Sequence, residues 1–354
     1  MPKKTRLITI RYPCFIFLAA IIFSCAGSPK GDSRDTPLWV TEPGKAYPDR
    51  DWICVVGSGQ DAKSAENAAL EGIARVFRVD LVSITNANRQ FTESISIVNG
   101  KKNIIATQIS DLAQELTSNS TVSGLIGLKI EPWTRQEGSF YVNARMNRKE
   151  CSARYSVIVR ENAKVIDQLL EEAEQNPRTF EAFQMLNLAY NIATVTDNFH
   201  NLLTVLDPST IARLSYGNAE VIKRLTQNAG RSVVVTVKVE GDNGGRIERS
   251  FTRCFNSRGF RTGTAGNNPY VLASSLQLEN ANIENPDNYK YIRYILNYSL
   301  KDKEGVEIFS SSINGRVGHL IESEARQTAI RAVENIIASE NFAADFDAFL
   351  ASLL

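Results

Sequence analysis

Six residues, Gly57-Ser58-Gly59-Gln60-Asp61-Ala62, match the G-x-G-x-x-A pattern of a dinucleotide-binding turn between a strand and a helix. Such a turn binds pyrophosphate with bare amides at the helix N-terminus. Asp61 would place a carboxylate at this helix N-terminus, where the pyrophosphate needs bare amides. Asp80 lies at a distance typical of a ribose-binding acid, but it precedes a predicted strand instead of ending one. We therefore interpret the glycines as a tight turn with close helix–strand packing, and we predict no cofactor.

Histidine and cysteine residues offer little other chemistry. His200 falls among apolar helix residues, and His319 is predicted near a helix start; neither lies in a pattern typical of a metal site, so we predict no metal. Cys54, Cys151 and Cys254 are far apart in sequence and form no C-x-x-C pair. We predict buried free thiols, with a disulfide between one pair left open. No serine or cysteine nucleophile motif is present, so we predict that the chain is not an enzyme.

Cys25 has the clearest chemical role in the sequence. Four basic residues occur before residue 12, and ten uncharged residues, Cys14–Phe23, follow them. This arrangement is typical of an export signal and is too short to span a bilayer. Ile22-Phe23-Ser24-Cys25 resembles the lipobox of bacterial lipoprotein precursors. We predict cleavage between Ser24 and Cys25 and acylation of the Cys25 thiol, which would anchor the chain to a membrane without a transmembrane helix.

Tyrosines in the stretch 289–300 form a second candidate site. If this stretch is a strand, Tyr294 and Tyr298 share a face with apolar residues and belong to a core, while Tyr289, Tyr291 and Arg293 take the opposite face. An antiparallel sheet can leave one face in solvent. We predict Tyr289, Tyr291 and Arg293 as a possible partner-binding face.

The elements around these residues predict an α+β protein. The expected organisation is a signal peptide 1–24, a lipidated flexible tether 25–36, an α+β domain 37–175, a helical connector 176–230 and a C-terminal α/β sandwich domain 231–354 of order β-α-β-β-β-α. Within it we expect a helix over 62–79 with Val76 inward, a strand over 94–98, a helix over 105–116, one long strand over 122–135 and a helix over 150–174 with Val157 inward. The connector is expected to hold two to four short helices.

Several spaced residues carry a family resemblance over residues 37–175. Pro37-Leu38-Trp39-Val40 precedes a strand that reaches Gly57-Ser58-Gly59, and a helix with alanines at three- and four-residue steps follows. Trp133, Gly138 and Tyr141 mark a hairpin, and Asn147-Arg148 opens a long helix. This pattern resembles the lipoprotein-twenty family of bacterial envelope lipoproteins, whose domain also occurs in flagellar outer-membrane-associated proteins. The resemblance implies a non-enzymatic outer-membrane or periplasmic module and supplies no catalytic residue.

The topology predicted for 231–354 is similar to small domains of the Tol-system periplasmic protein, curli secretion lipoproteins and lipoprotein activators of penicillin-binding proteins. We expect an outer-membrane lipid-anchored, non-catalytic protein that faces the periplasm and binds other envelope proteins or peptidoglycan. The alternatives are a regulator of a peptidoglycan synthase and a part of a secretion or flagellar assembly, which would form homo-oligomers. After cleavage 36 basic and 39 acidic residues remain, and this balance disfavours nucleic-acid partners.

Overall fold

The computed structural model describes residues 36–79, 82–86, 88–89, 92, 124–263, 268–281, 283, 288–338 and 341–354. Leu38–Leu354 form one compact unit. The chain is a mixed α+β protein, as predicted. Its elements are α1 Leu38–Thr41, α2 Pro43–Ala46, β1 Trp52–Gly59, α3 Ala62–Phe77, β2 Lys129–Ile130, β3 Thr134–Gln136, β4 Ser139–Asn147, α4 Arg148–Gln175, α5 Phe180–Leu206, α6 Pro208–Ile211, α7 Ala219–Ser232, β5 Val234–Glu240, α8 Arg246–Ser257, β6 Arg261–Gly263, β7 Tyr270–Ala281, β8 Lys290–Lys301, β9 Glu307–His319, α9 Glu322–Ala338 and α10 Asn341–Ala351.

The first sheet is built on β4. β1 pairs antiparallel with β4 over its whole length, while β2 and β3 also pair antiparallel with β4. α3 packs on this sheet through small residues at three- and four-residue steps, because Ala65, Ala69 and Gly72 let the helix approach closely. The Asn147 side chain accepts a hydrogen bond from the Glu150 amide and so caps α4 directly after β4.

α4 and α5 form an antiparallel pair of long helices that completes the first core. Their interface holds a buried hydrogen bond from Asn162 Nδ2 to Thr196 Oγ1 of 2.8 Å. Tyr155 of α4 is fully buried, its ring packs at a tilt of 41° against Phe199 of α5, and its hydroxyl accepts a hydrogen bond of 2.8 Å from the Ile126 amide. The helix pair therefore also fixes the segment that precedes β2.

The second sheet has the strand order β6-β5-β7-β8-β9. β5 is parallel to both β6 and β7, whereas β7, β8 and β9 are antiparallel. One face is covered by α8, α9 and α10, and the second core between them is rich in aromatic rings. Phe180, the first residue of α5, belongs to this second core, while the rest of α5 from Leu188 to Leu206 lies in the first core. α5 is thus shared by both cores.

Some sequence predictions are wrong in detail. The single strand expected over 122–135 is interrupted: β2 and β3 are separate, and Gly127 has a φ of +82°. β1 runs through Ser58 and Gly59, which we expected in a turn. α5 is one helix of 27 residues where we expected short helices. The strand predicted at 94–98 and the helix predicted at 105–116 lie outside the described residues.

Helix faces and the C-terminal order also differ from expectation. Val76 and Val157 are exposed, and Phe77 and Ile158 take the inward positions. The second sheet has the additional short strand β6, and α10 follows α9. The predicted order β-α-β-β-β-α therefore lacked one strand and one helix. His319 ends β9 and lies three residues before Glu322, the first residue of α9, so its predicted position near a helix start is confirmed. Where the structure describes the chain, no helix has both the length and the apolar character needed to cross a bilayer.

Candidate functional site

The predicted lipid anchor lies outside the described residues. Ser24 and Cys25 both fall before Thr36, the first residue that the structure describes. Signal cleavage and acylation therefore stay predictions from the sequence.

The glycines of the dinucleotide-like segment serve helix–strand packing. A Cβ atom on Gly57 would lie 2.2 Å from the Ala65 carbonyl oxygen and 2.3 Å from the Ala69 amide nitrogen, both backbone atoms of α3. β1 pairs with antiparallel β4, so β1 and α3 do not begin a parallel βαβ unit. The Asp61 carboxylate accepts from the Ser64 amide at 2.8 Å and occupies the helix N-terminus. These contacts confirm the close helix–strand packing, and the Asp61 carboxylate occupies the helix end where a pyrophosphate would need bare amides.

The histidines serve local contacts. The His200 ring lies 5.5 Å from the Tyr216 ring, and His319 Nδ1 accepts from the Ile321 amide. Among the residues described, no group of three or more His, Cys, Asp and Glu side chains has the arrangement of a metal site.

The three described thiols are free and poorly reactive. Cys151 and Cys254 are buried, and Cys54 is half-buried with its Sγ donating to Asn143 Oδ1. Burial raises the pKa of all three thiols, that of Cys151 to about 11. The thiolate is the nucleophile, so the raised pKa lowers the reactive fraction of each thiol at neutral pH.

The second sheet leaves one face without a helical cover, as the tyrosine pattern predicts. Ile292, Tyr294, Leu296, Tyr298 and Leu300 of β8 are buried against the helices. The alternate residues point the other way. We call this side the open face; its exposed members on β7, β8 and β9 include Gln277, Glu279, Arg293, Asn297, Ser310, Ser312, Asn314 and Arg316.

Aromatic rings and guanidinium groups meet at one end of the open face. The rings of Tyr289 and Tyr291 lie 6.3 Å apart and are tilted by 32°. Tyr291 stands opposite Gly318 of β9, and a Cβ there would lie 2.7 Å from the Tyr291 ring. The glycine therefore lets the ring lie over β9.

Two arginines flank these rings. Arg293 stands directly opposite Arg316, and neither forms an ion pair within the described part of the chain. Like charges placed opposite each other weaken a strand pair. Glu279 of β7 stands opposite Arg293 on its other side, so two guanidinium groups face one carboxylate at this end of the open face. We call Tyr289, Tyr291, Arg293 and Arg316 the tyrosine–arginine cluster.

A shallow groove of about 580 Å³ continues along the same sheet. Its open-face side chains are mostly hydroxyls and an amide, and Ser312 Oγ donates to Asn297 Oδ1 at 2.7 Å. At about 3.3 Å per residue, β8 from Tyr291 to Ser299 spans about 26 Å. We call this the hydroxyl groove; its open-face members are Ala273, Ser275, Asn297, Ser299, Ser310 and Ser312, and the carboxylates Glu240 and Glu307 also line it.

Sequence analysis found Tyr289, Tyr291 and Arg293 but missed Arg316 and Gly318. If the pairing of Lys301 with Glu307 continued without a shift, Gly315 would lie opposite Arg293. A register shift at Leu300/Lys301 moves β9 by one residue and brings Arg316 there instead. The available signal for the open side of β9 was a polar residue at every second position from Ser310 to Arg316.

Comparisons with known proteins give little guidance. No family model matches this chain, and no curated protein matches it. Among solved structures, a minor lipoprotein from Acinetobacter baumannii is similar at 11% identity with a TM-score of 0.27, over 32% of this chain and 94% of that one. A secreted protein from Helicobacter pylori is similar at 10% identity with a TM-score of 0.35, over 81% of this chain and 97% of that one. TM-scores below 0.5 carry no argument about fold or function, so the family resemblances stay predictions.

Proposed function

We propose that this protein is a non-catalytic, lipid-anchored component of the cell envelope that holds its open face against a partner. Cys25 would carry the anchor, and the periplasmic side of the outer membrane is the site that the sequence favours. The observation that carries the proposal is the tyrosine–arginine cluster beside the hydroxyl groove, on the one face of the second sheet that the helices do not cover.

Peptidoglycan is the partner that this surface fits best. Its glycan chain offers sugar rings that stack on tyrosine, acetamide and hydroxyl groups that bond to serine and asparagine, and peptide carboxylates that pair with arginine. The groove and the cluster lie along one strand, so an extended polymer can contact both. An envelope protein is the alternative partner, as expected for a synthase regulator or an assembly component.

Wall binding is tested by pulling down the protein with purified sacculi. We expect enrichment of the wild type and loss of enrichment in Y291A/R293A. The matched control is W133A/R135A, an exposed aromatic–arginine pair on the first sheet, which should bind like the wild type. No enrichment over an unrelated protein would contradict a wall ligand, and crosslinking in living cells would then identify the protein partner.

The anchor is tested separately. In cells fed labelled palmitate, the wild type should be labelled and its maturation should be blocked by globomycin. C25A should lose the label, whereas C14A should keep it. A labelled band that persists in C25A contradicts the lipoprotein assignment. Gel filtration of a chain that begins at Pro37 addresses the assembly alternative, because a clean monomer at high concentration argues against it.

A further inference from the structure

A groove of about 520 Å³ at the beginning of α4 is lined by five basic side chains among eleven residues. It lies between the first turns of α4, the end of α5 and the short helix α6. One carboxylate, Asp207, also lines it. The charge contrasts with the chain beyond Ser24, which is slightly acidic. The basic residues of this groove, which we call the basic groove, are Arg50, Arg148, Lys149, Arg160 and Arg213.

The groove holds one carboxylate against five cations, so its net charge stays positive. Asp207 accepts hydrogen bonds from the Ser209 amide, from the hydroxyls of Ser209 and Thr210, and from the Ser152 hydroxyl. Hydrogen bonds from Ser209 and Thr210 hold the pKa of Asp207 below its usual value, so the carboxylate stays charged. The same hydrogen bonds tie its oxygens to the turn that starts α6. It forms no ion pair with a basic residue in the part of the chain that the structure describes.

Four of the five cations have no carboxylate partner among the described residues, and three of these four are exposed. Lys149, Arg160 and Arg213 are exposed and form no ion pair with any described residue. Arg50 pairs with the neighbouring Asp51 at 3.2 Å.

Arg148 holds the base of the groove together. Its Nε donates to the Asp49 carbonyl at 2.8 Å, and its Nη1 donates to the carbonyls of Val205 and Leu206. Carbonyl oxygens satisfy these donors but do not remove the positive charge. The N-terminal end of α4, a helix of 28 residues, adds a partial positive charge at the same place.

We propose that the basic groove binds a phosphate group. Several unpaired cations around one concavity suit an oxyanion with more than one charged oxygen, and guanidinium groups bind phosphate oxygens in a bidentate geometry. The ligand class is a phosphate ester, either the headgroup of a membrane lipid or a soluble phosphate compound. This site lies outside the open face and does not depend on Cys25.

The test uses a chain that begins at Thr36 and so contains both hydrophobic cores but no lipid. One arm measures co-flotation with phosphatidylcholine vesicles made with or without phosphatidylglycerol. The other arm measures binding of inorganic pyrophosphate by calorimetry. The groove variant is K149Q/R160Q/R213Q. The matched control is K223Q/R231Q/R261Q, which removes the same charges from exposed positions elsewhere.

We expect the wild type and the control to bind in at least one arm, and the groove variant to bind about tenfold more weakly or worse, because each cation near an anionic surface contributes to binding. A loss confined to the vesicle arm identifies a lipid headgroup, and a loss in the pyrophosphate arm identifies a soluble phosphate ligand. Equal binding by the groove and control variants, or no binding of the wild type in either arm, overturns the proposal. Since the altered side chains are exposed, matching circular dichroism spectra should show that both variants fold.

Discussion

Gly57 shows how a single missing side chain shapes this protein at the scale of the residue. An added methyl group would collide with the backbone of α3, which cannot move without losing the packing of Ala65 and Ala69. We predict that Gly57→Ala lowers the free energy of unfolding by about 2–3 kcal/mol. Urea unfolding measures this. Gly44→Ala is the control, because nothing lies within 4 Å of a Cβ there; equal stability of the two variants would contradict close packing at Gly57.

Thiol reactivity should follow burial. We predict that an alkylating reagent at neutral pH modifies Cys54 first, while Cys151 and Cys254 react only after unfolding. Burial raises the pKa of each thiol, so its thiolate fraction at neutral pH is small and grows as the pH rises toward the folded pKa. Timed labelling followed by mass spectrometry of a chain from Thr36 gives the order. Early modification of Cys151 would show that the region around β2 opens readily.

At the scale of the element, Tyr155 joins α4 to the segment before β2. Tyr155→Phe removes the acceptor of the Ile126 amide, and leaving that buried donor unpaired should cost about 1–3 kcal/mol. Thermal or urea unfolding measures the loss. Tyr141→Phe is the matched control, since Tyr141 is only half-buried. A cost as large for Tyr141→Phe would mean that the hydroxyl bond is not the cause.

The sequence predicted which segments form helices and strands better than it predicted which residues pair between strands. Alternation in β8 separated Tyr294 from Tyr291 correctly, because one face is buried against helices. The partner of Arg293 could not be predicted, since one extra residue near Lys301 shifts β9 and leaves no mark in the hydrophobic pattern. α10 was missed although Phe342, Phe346 and Leu350 recur at helical spacing. The strand expected over 122–135 was interrupted by turns that only tertiary contacts, such as Tyr155 with Ile126, stabilise.

At the scale of the whole molecule, α5 should make the two cores unfold together. All three tryptophans, Trp39, Trp52 and Trp133, precede α4 and lie outside the second core, so their fluorescence reports the region around the first sheet. We predict that this fluorescence and far-ultraviolet circular dichroism give one coincident transition in the wild type.

Substitutions in α5 should separate the two transitions. Phe180 contacts Phe260, Tyr270 and Phe346, so Phe180→Ala should weaken the second core by about 3–5 kcal/mol and shift the circular dichroism transition ahead of fluorescence. Phe199→Ala, in the same helix but in the first core, should shift fluorescence first. Coincident curves in both variants would mean that α5 still makes the two cores unfold together when either side chain is removed.

The position of α5 has a mechanical consequence. With 27 residues, the helix is about 40 Å long, and each part of it is packed into a core. A protein tied to a membrane at one end and to a rigid wall at the other experiences tension whenever the two layers separate. Here that load would pass along a hydrogen-bonded helix and through interlocked side chains before it reached the open face. With the proposed anchor at Cys25 and the proposed wall contact, α5 would act as a strut, and the fold itself would resist separation of the layers.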